Sequence, residues 1–248
     1  MKTIIQNLKN NSYQLDLNQI LMKSFTLYKS ILLPSALLII IGIVAITTIY
    51  TNIVLSYYPS IEAATEAMMS MDVMNFNSEE LIQYFGLNAT FHLVLVLVNL
   101  LIFDLAKQTS THGTYKVLAL IKNIFSFTTL QILFYTFTLH MFVSFLSYYL
   151  QVYGLGNVSL FLSLMIHTLT LFVLPIAVYE KTNVLKAIKY SSDLVNIKPL
   201  RILSYLIFIT ILSLSGIFLF GIGIVFSFPL FYIFVHELYV WIRSQGIN

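Results

Sequence analysis

Residues Ile31 to Tyr50 read ILLPSALLIIIGIVAITTIY, a run of twenty residues without a charged side chain. A helix needs roughly 20 apolar residues to cross the ~30 Å hydrocarbon layer of a bilayer. Of the 248 residues, 58% are hydrophobic and only 9% are charged, whereas ordinary globular domains carry about 25% charged residues. The run and the composition together indicate an all-α integral membrane protein.

Three further windows without charge extend this pattern, at residues 81–103, 123–179 and 202–236. The window 123–179 is too long for one helix, and the glycines at 154 and 156 favour a turn within it. The last window is divided near Gly221 and Gly223, although a GxG pair also suits a single kinked helix. The sequence thus predicts one membrane domain, 1–248, with six transmembrane helices at about 31–55, 83–106, 124–150, 158–179, 202–220 and 224–242.

The Lys and Arg residues indicate how these helices are threaded. All thirteen fall before residue 30, within 107–122, within 181–201, or at Arg243, and six spans place these four groups on one side of the bilayer. Cytosolic loops are enriched in Lys and Arg, so we expect both termini in the cytosol.

The opposite side then holds an external loop at 56–82, in which a short helix is expected after Asn77 and Ser78. This loop has no Lys or Arg, and it carries half of the acidic residues of the chain: Glu62, Glu66, Asp72, Glu79 and Glu80.

Three cytosolic segments show amphipathic helical spacing, at 15–31, at 183–196 and, over a shorter length, at 114–122. Such helices suit the lipid interface, although a simple connector is the commoner explanation. We expect contacts with lipid head groups from Lys23, Lys29, Lys186 and Lys189. The net charge of +3 favours membrane lipids over nucleic acid as a partner.

The absence of cysteine excludes disulfides, thiolate metal sites and cysteine nucleophiles. No phosphate loop, nucleophile elbow or HExxH motif is present, so no catalytic residue, metal or cofactor is predicted. Ionisable residues inside spans are costly in lipid and are therefore the candidate site: His140, His167, His236 and Glu237.

His140 and His167 lie 14 and 13 residues from the turn at Gly154, and we expect them at one depth on a helical hairpin. A shared metal, proton or hydrogen bond stays open beside the commoner case of separate bonds to neighbouring helices. At most one of the adjacent residues His236 and Glu237 is expected to join any single cluster. Asp104 is expected to pair with Lys107, three residues further along its helix.

Several segments are similar to one bacterial family, namely Tyr13–Pro34, Pro175–Glu180, Ala187–Val195, Arg201–Leu203, and Pro229 with Leu238, Tyr239 and Arg243. They resemble the six-span membrane domain attached to some glycerophosphodiester phosphodiesterases, which also occurs in stand-alone proteins of unknown function. The resemblance implies a helical membrane domain in a bacterial cytoplasmic (inner) membrane. It does not imply phosphodiesterase activity, because that activity belongs to a separate barrel domain. This chain has Val240-Trp-Ile-Arg243 where the family has Tyr-Asp-Leu-Arg, so no role for that Asp is carried over.

The leading hypothesis is a non-enzymatic membrane-embedded or lipid-contacting protein, with a protein partner or a homo-oligomer left open. One alternative is a small transporter with a path past His140, His167 and Glu237. The other is an intramembrane enzyme that acts on a lipid through a histidine-held metal.

Overall fold

The structure is a computed structural model that describes residues 1–70, 78–218 and 223–247. All regular elements in these ranges are helices, which confirms the all-α class. Six helical stretches in the described part of the chain are long and apolar enough to cross a membrane. They are Leu17–Tyr57, Tyr84–His112, Phe127–Val152, Gly156–Glu180, Pro199–Phe218 and Gly223–Ile247.

The helices are short at the amino terminus and between spans, and long where the sequence is apolar. In chain order they are α1 Lys2–Asn11, α2 Leu17–Tyr57, α3 Ile61–Ser70, α4 Ser78–His112, α5 Val117–Ile124, α6 Phe127–Val152, α7 Gly156–Leu169, α8 Val173–Glu180, α9 Val184–Val195, α10 Pro199–Leu214 and α11 Gly223–Ile247, with a 3₁₀ turn at Ser215–Phe218.

The described residues form two compact units. Unit 1 comprises 1–39, 98–132 and 165–248, whereas unit 2 comprises 40–97 and 133–164. The core of unit 1 is built around α11, where every residue from Tyr232 to Tyr239 is buried. Unit 2 contains aromatic contacts in which Phe85 lies 6.0 Å from Phe145 and 6.1 Å from Tyr148, measured between ring centroids.

The predicted interfacial segment 15–31 is not a separate helix, because α2 runs unbroken through it and through the first span. Asp16 caps the start of α2, since its carboxylate accepts hydrogen bonds from the backbone and side-chain nitrogens of Gln19 at 3.1 and 2.8 Å. No break follows, and Pro34 is accommodated inside the helix. At 1.5 Å per residue, α2 is about 60 Å long and exceeds the hydrocarbon thickness.

The chain after residue 199 forms two antiparallel helices rather than one kinked helix. Gly216 lies against the backbone of Gly223 and the side chain of Ser227, with no room for a Cβ atom. The Ser227 hydroxyl also donates to the carbonyl of Ser213 on α10. The sequence places the break near the GxG pair, whose Gly221 lies outside the described residues.

Helix α1 is not among the helices predicted from the sequence. It packs on α11, with Ile5 and Leu8 in the core of unit 1. Asn7 Nδ2 donates to the carbonyl of Gly246 at 3.1 Å, and the Tyr13 hydroxyl donates to the carbonyl of Leu194 at 3.0 Å. Burial raises the pKa of Tyr13, so this phenol stays a neutral donor.

Helix α9 matches the predicted amphipathic segment 183–196. Asn183 caps it by accepting the backbone N–H of Lys186 at 3.0 Å. Its buried residues recur at helical spacing on one face: Val184, Ala187, Ser191, Leu194 and Val195. Since Ala187, Leu194 and Val195 belong to the core of unit 1, that face is covered by protein rather than left for lipid.

The predicted external loop 56–82 contains α3 and the first residues of α4. Asp72 and Asn77 lie outside the described residues, as do the side chains of Ser78, Glu79 and Glu80. Glu62 and Glu66 are on α3, and both are exposed.

Candidate functional site

Polar side chains of unit 1 converge where the last turn of α8 meets α11. Helix α8 ends because Lys181 adopts a left-handed conformation with φ 46°. On α11, the positions 236, 239 and 243 recur at helical spacing and share one face. We call this cluster the polar junction: Lys107, Tyr179, Glu180, His236, Glu237, Tyr239 and Arg243.

The first part of the junction is a chain of three side chains. Tyr179 Oη lies 2.7 Å from His236 Nε2, and His236 Nδ1 lies 3.1 Å from Glu237 Oε1. The His236 ring is fully buried, and Glu237 is 8% exposed. With Glu237 ionised, Nδ1 carries the imidazole hydrogen, Nε2 is the acceptor and Tyr179 donates. The expectation that only one of His236 and Glu237 joins a cluster is therefore wrong.

The second part of the junction is centred on Glu180. Its Oε1 accepts a hydrogen bond from Arg243 Nε at 2.7 Å and another from the Tyr239 hydroxyl at 3.2 Å. Tyr239 is fully buried, and the Glu180 side chain is 15% exposed. Charge-assisted bonds of this kind are stronger than neutral ones. They join the end of α8 to α11.

Lys107 contributes to the junction from α4. Its Nζ donates to the carbonyl of Val178 at 2.6 Å and lies 4.9 Å from the centre of the Tyr179 ring. A cation is favoured at the carboxyl end of a helix and over an aromatic face. The predicted partner, Asp104, attracts Lys107 electrostatically and accepts hydrogen bonds from Gln108 Nε2 at 3.1 Å and Asn123 Nδ2 at 2.7 Å.

The junction can hold and relay a proton, since each member of the Tyr179–His236–Glu237 chain is a donor or an acceptor for the next. In the described part of the chain, no three His, Cys, Asp or Glu side chains come together as a metal-ligand set. We therefore build no metal site on these residues.

The other predicted histidines lie elsewhere. The His140 ring stacks on the ring of His92 in unit 2, with centroids 3.8 Å apart and planes 5° from parallel. His167 is exposed on α7 and belongs to unit 1. The pairing of His140 with His167 stays a prediction. His92 and His140 lie on α4 and α6, which are consecutive antiparallel spans. The contact between these two histidines could therefore have been predicted from the sequence.

A basic surface forms a second feature of unit 1. Lys23, Lys29, Lys186 and Lys189 are exposed, and within the described ranges none of them forms an ion pair. Lys23 Nζ lies 4.9 Å from the centre of the Trp241 ring. In contrast, every carboxylate of unit 1 is hydrogen-bonded inside the protein: Asp16, Asp104, Glu180, Asp193 and Glu237.

Comparison of this chain with protein-family models, with curated proteins and with solved structures finds no match.

Proposed function

We propose that this chain is a non-enzymatic membrane protein that contacts anionic lipid through the basic surface of unit 1. One observation supports this function above the others: the carboxylates of unit 1 are used internally, whereas Lys23, Lys29, Lys186 and Lys189 have no carboxylate partner among the described residues. Their charge is therefore available to phosphate groups outside the protein. Each lysine near an anionic membrane surface contributes about 1 kcal/mol of attraction.

The charge distribution supports a cytosolic orientation for this surface. All thirteen Lys and Arg lie in the segments of unit 1, together with five of the ten acidic residues. The segments of unit 2 hold the other five acidic residues and no cation. By the positive-inside rule, the cation-bearing segments and both termini face the cytosol of a bacterial inner membrane.

We further propose membership of the six-span membrane-domain family described above. The support is that residues from two separate motif segments meet in the junction. Tyr179 and Glu180 end the first segment, and Tyr239 and Arg243 belong to the last. Glu180 binds both of the latter residues.

The lipid proposal is tested by replacing Lys23, Lys29, Lys186 and Lys189 together with Gln. The matched control replaces the same four with Arg, which keeps the charge. We expect the Gln variant to retain less anionic lipid on purification and to lose most of the salt dependence of that retention, since salt screens exposed charges. The Arg variant is expected to behave like the wild type. Identical lipid mass spectra for the Gln variant and the wild type would overturn the proposal.

A second candidate function is proton movement, favoured by the Tyr179–His236–Glu237 chain. In proteoliposomes with an imposed pH gradient and an internal pH dye, the wild type should then dissipate the gradient faster than protein-free liposomes. His236→Gln should abolish this difference. His112→Gln, at the exposed end of α4, serves as the control. A wild-type rate equal to that of empty liposomes would eliminate this candidate.

A further inference from the structure

Helix α5, Val117–Ile124, connects two membrane-length helices and buries only Leu120. Large apolar side chains are otherwise exposed: Val117 is 59% exposed, Leu118 82%, Ile121 50% and Phe125, just after the helix, 77%. At about 100° per residue, these four positions fall within an arc of about 100°. One side of α5 is thus a continuous apolar face.

The opposite side of α5 is fixed to the protein. Asn123 Nδ2 donates to Asp104 Oδ2 on α4 at 2.7 Å, and the backbone N–H of Lys116 donates to Gln108 Oε1 at 2.9 Å. Asp104 is buried, so this tether is not a chance surface contact. The orientation of α5 is therefore set by α4, and the apolar face points away from it.

Chain connectivity limits where α5 can lie. Four residues separate it from the end of α4 at His112, and two separate it from the start of α6 at Phe127. An extended residue spans at most about 3.5 Å, so α5 lies within about 17 Å of the ends of both spans. It is consequently held at the level of a membrane surface.

We propose that α5 is an interfacial anchor, whose apolar face enters the boundary between head groups and acyl chains of an anionic bilayer leaflet. The exposed Lys122 borders this face, and the exposed Lys116 immediately precedes the helix; both meet the head groups. An apolar stripe combined with lysines on the polar side is the pattern of helices that lie in the membrane plane. Helix α9 cannot take this role with its apolar face, because that face is buried in the core of unit 1.

The anchor is independent of the proposed function, since it involves neither the polar junction nor the lysines of α2 and α9. The chain has no cysteine, so single cysteines report on single positions. Leu118→Cys and Ile121→Cys place an environment-sensitive fluorophore on the apolar face. Ala119→Cys places it on the opposite side of α5, and Thr114→Cys places it in the exposed turn before the helix.

In proteoliposomes of the intact protein, labels at 118 and 121 should show blue-shifted emission. Brominated phospholipid should quench them, and aqueous iodide should not. The label at 114 should show the reverse, and the label at 119 should not be quenched by brominated lipid. Quenching by iodide at 118 and 121 equal to that at 114 would place the face in water. Protection from both quenchers would mean that protein covers it. Either result overturns the proposal.

Charge is tested with Lys116→Gln and Lys122→Gln combined in the Leu118→Cys protein. Quenching by brominated anionic lipid should then fall relative to quenching by brominated zwitterionic lipid. Replacing the same two lysines with Arg should restore the wild-type ratio of the two. An unchanged ratio would overturn the anionic part of the proposal. The lipid retention of the four-lysine variant is measured separately, so the two failures are distinguishable.

Discussion

Glu180 joins α8 to α11 through a single carboxylate oxygen. Because Arg243 and Tyr239 both donate to that oxygen, its loss leaves two donors without an acceptor in a partly buried site. Removing one partner of a buried hydrogen bond costs more than the bond itself contributes. The ion pair between Lys9 and Asp193 has the same 2.7 Å separation, but its side chains are 50% and 26% exposed. Solvent screens such a pair.

We expect Glu180→Gln to lower the free energy of unfolding by about 2 kcal/mol, because a charge-assisted bond is lost while Arg243 stays partly buried. The matched control, Asp193→Asn, should cost about 0.5 kcal/mol. Thermal or denaturant unfolding of the detergent-solubilised protein measures both. Equal losses in the two variants would contradict the role assigned to Glu180.

The stacked rings of His92 and His140 give a second test at this scale. A double-mutant cycle with His92→Ala and His140→Ala should give a coupling of about 1 kcal/mol, as expected of paired rings. The same cycle with His140→Ala and His167→Ala tests the pairing predicted from the sequence. Additive losses in the first cycle would mean that the rings do not interact. Coupling in the second would support the predicted pair.

The sequence identified residues of the candidate site by their type, but it did not identify all of their hydrogen-bond partners. The sequence singled out His236 and Glu237 because ionisable groups are costly in lipid. Spacing rules within one helix paired Asp104 with Lys107, since residues three apart are neighbours. Asp104 also accepts a hydrogen bond from Asn123, which is 19 residues away and joins only through the turn between α4 and α5. Tyr179 gave no signal of its own, because a tyrosine near a span end usually serves as an interfacial anchor.

At the scale of elements, hydropathy is sufficient to predict the membrane-length helices but not the short helices. The spans follow from long uncharged runs, and α2, α4 and α6 lie where those runs lie. Helix α1 is ten residues long, with a polar composition, and its burial depends on α11, which is distant in sequence. The helical periodicity of α9 predicted which of its faces is buried. Periodicity does not distinguish burial against protein from burial in lipid, since both environments are apolar.

Helix α1 is held close to the end of α11 because Gly246 has no side chain. A Cβ atom there would collide with the side chain of Ile4 and crowd Leu8. We expect Gly246→Ala to destabilise the packing of α1 by about 1–3 kcal/mol, as in other overpacked cores. Limited proteolysis should then cut within the first sixteen residues more readily.

The matched control is Gly86→Ala on α4, where a Cβ would meet nothing within 4 Å. Alanine is favoured over glycine inside a helix by about 0.5–1 kcal/mol, so this variant should be as stable as the wild type or more so. If Gly246→Ala also leaves the protease pattern unchanged, α1 is not packed as closely as the structure indicates.

At the scale of the whole molecule, charge is divided between segments of the chain rather than along individual helices. The segments of unit 1 carry every cation, whereas those of unit 2 carry only acidic charge. Hydropathy alone would permit either orientation in the membrane. We infer the orientation from the cations, because their transfer across the bilayer is disfavoured while acidic residues contribute little to orientation.

Single cysteines in this cysteine-free chain test the orientation directly. Thr65→Cys on α3 and Tyr153→Cys in the turn before α7 are exposed positions of unit 2, and both should react with a membrane-impermeant maleimide in intact cells. Thr114→Cys and Leu185→Cys lie beside the lysines of α5 and α9. They should react only after permeabilisation, because the proposed orientation places every basic segment in the cytosol. Labelling of Thr114→Cys in intact cells would reverse the orientation. If only one of the positions 65 and 153 is labelled in intact cells, an odd number of membrane crossings separates them. That result would contradict the two spans, α4 and α6, that lie between α3 and α7.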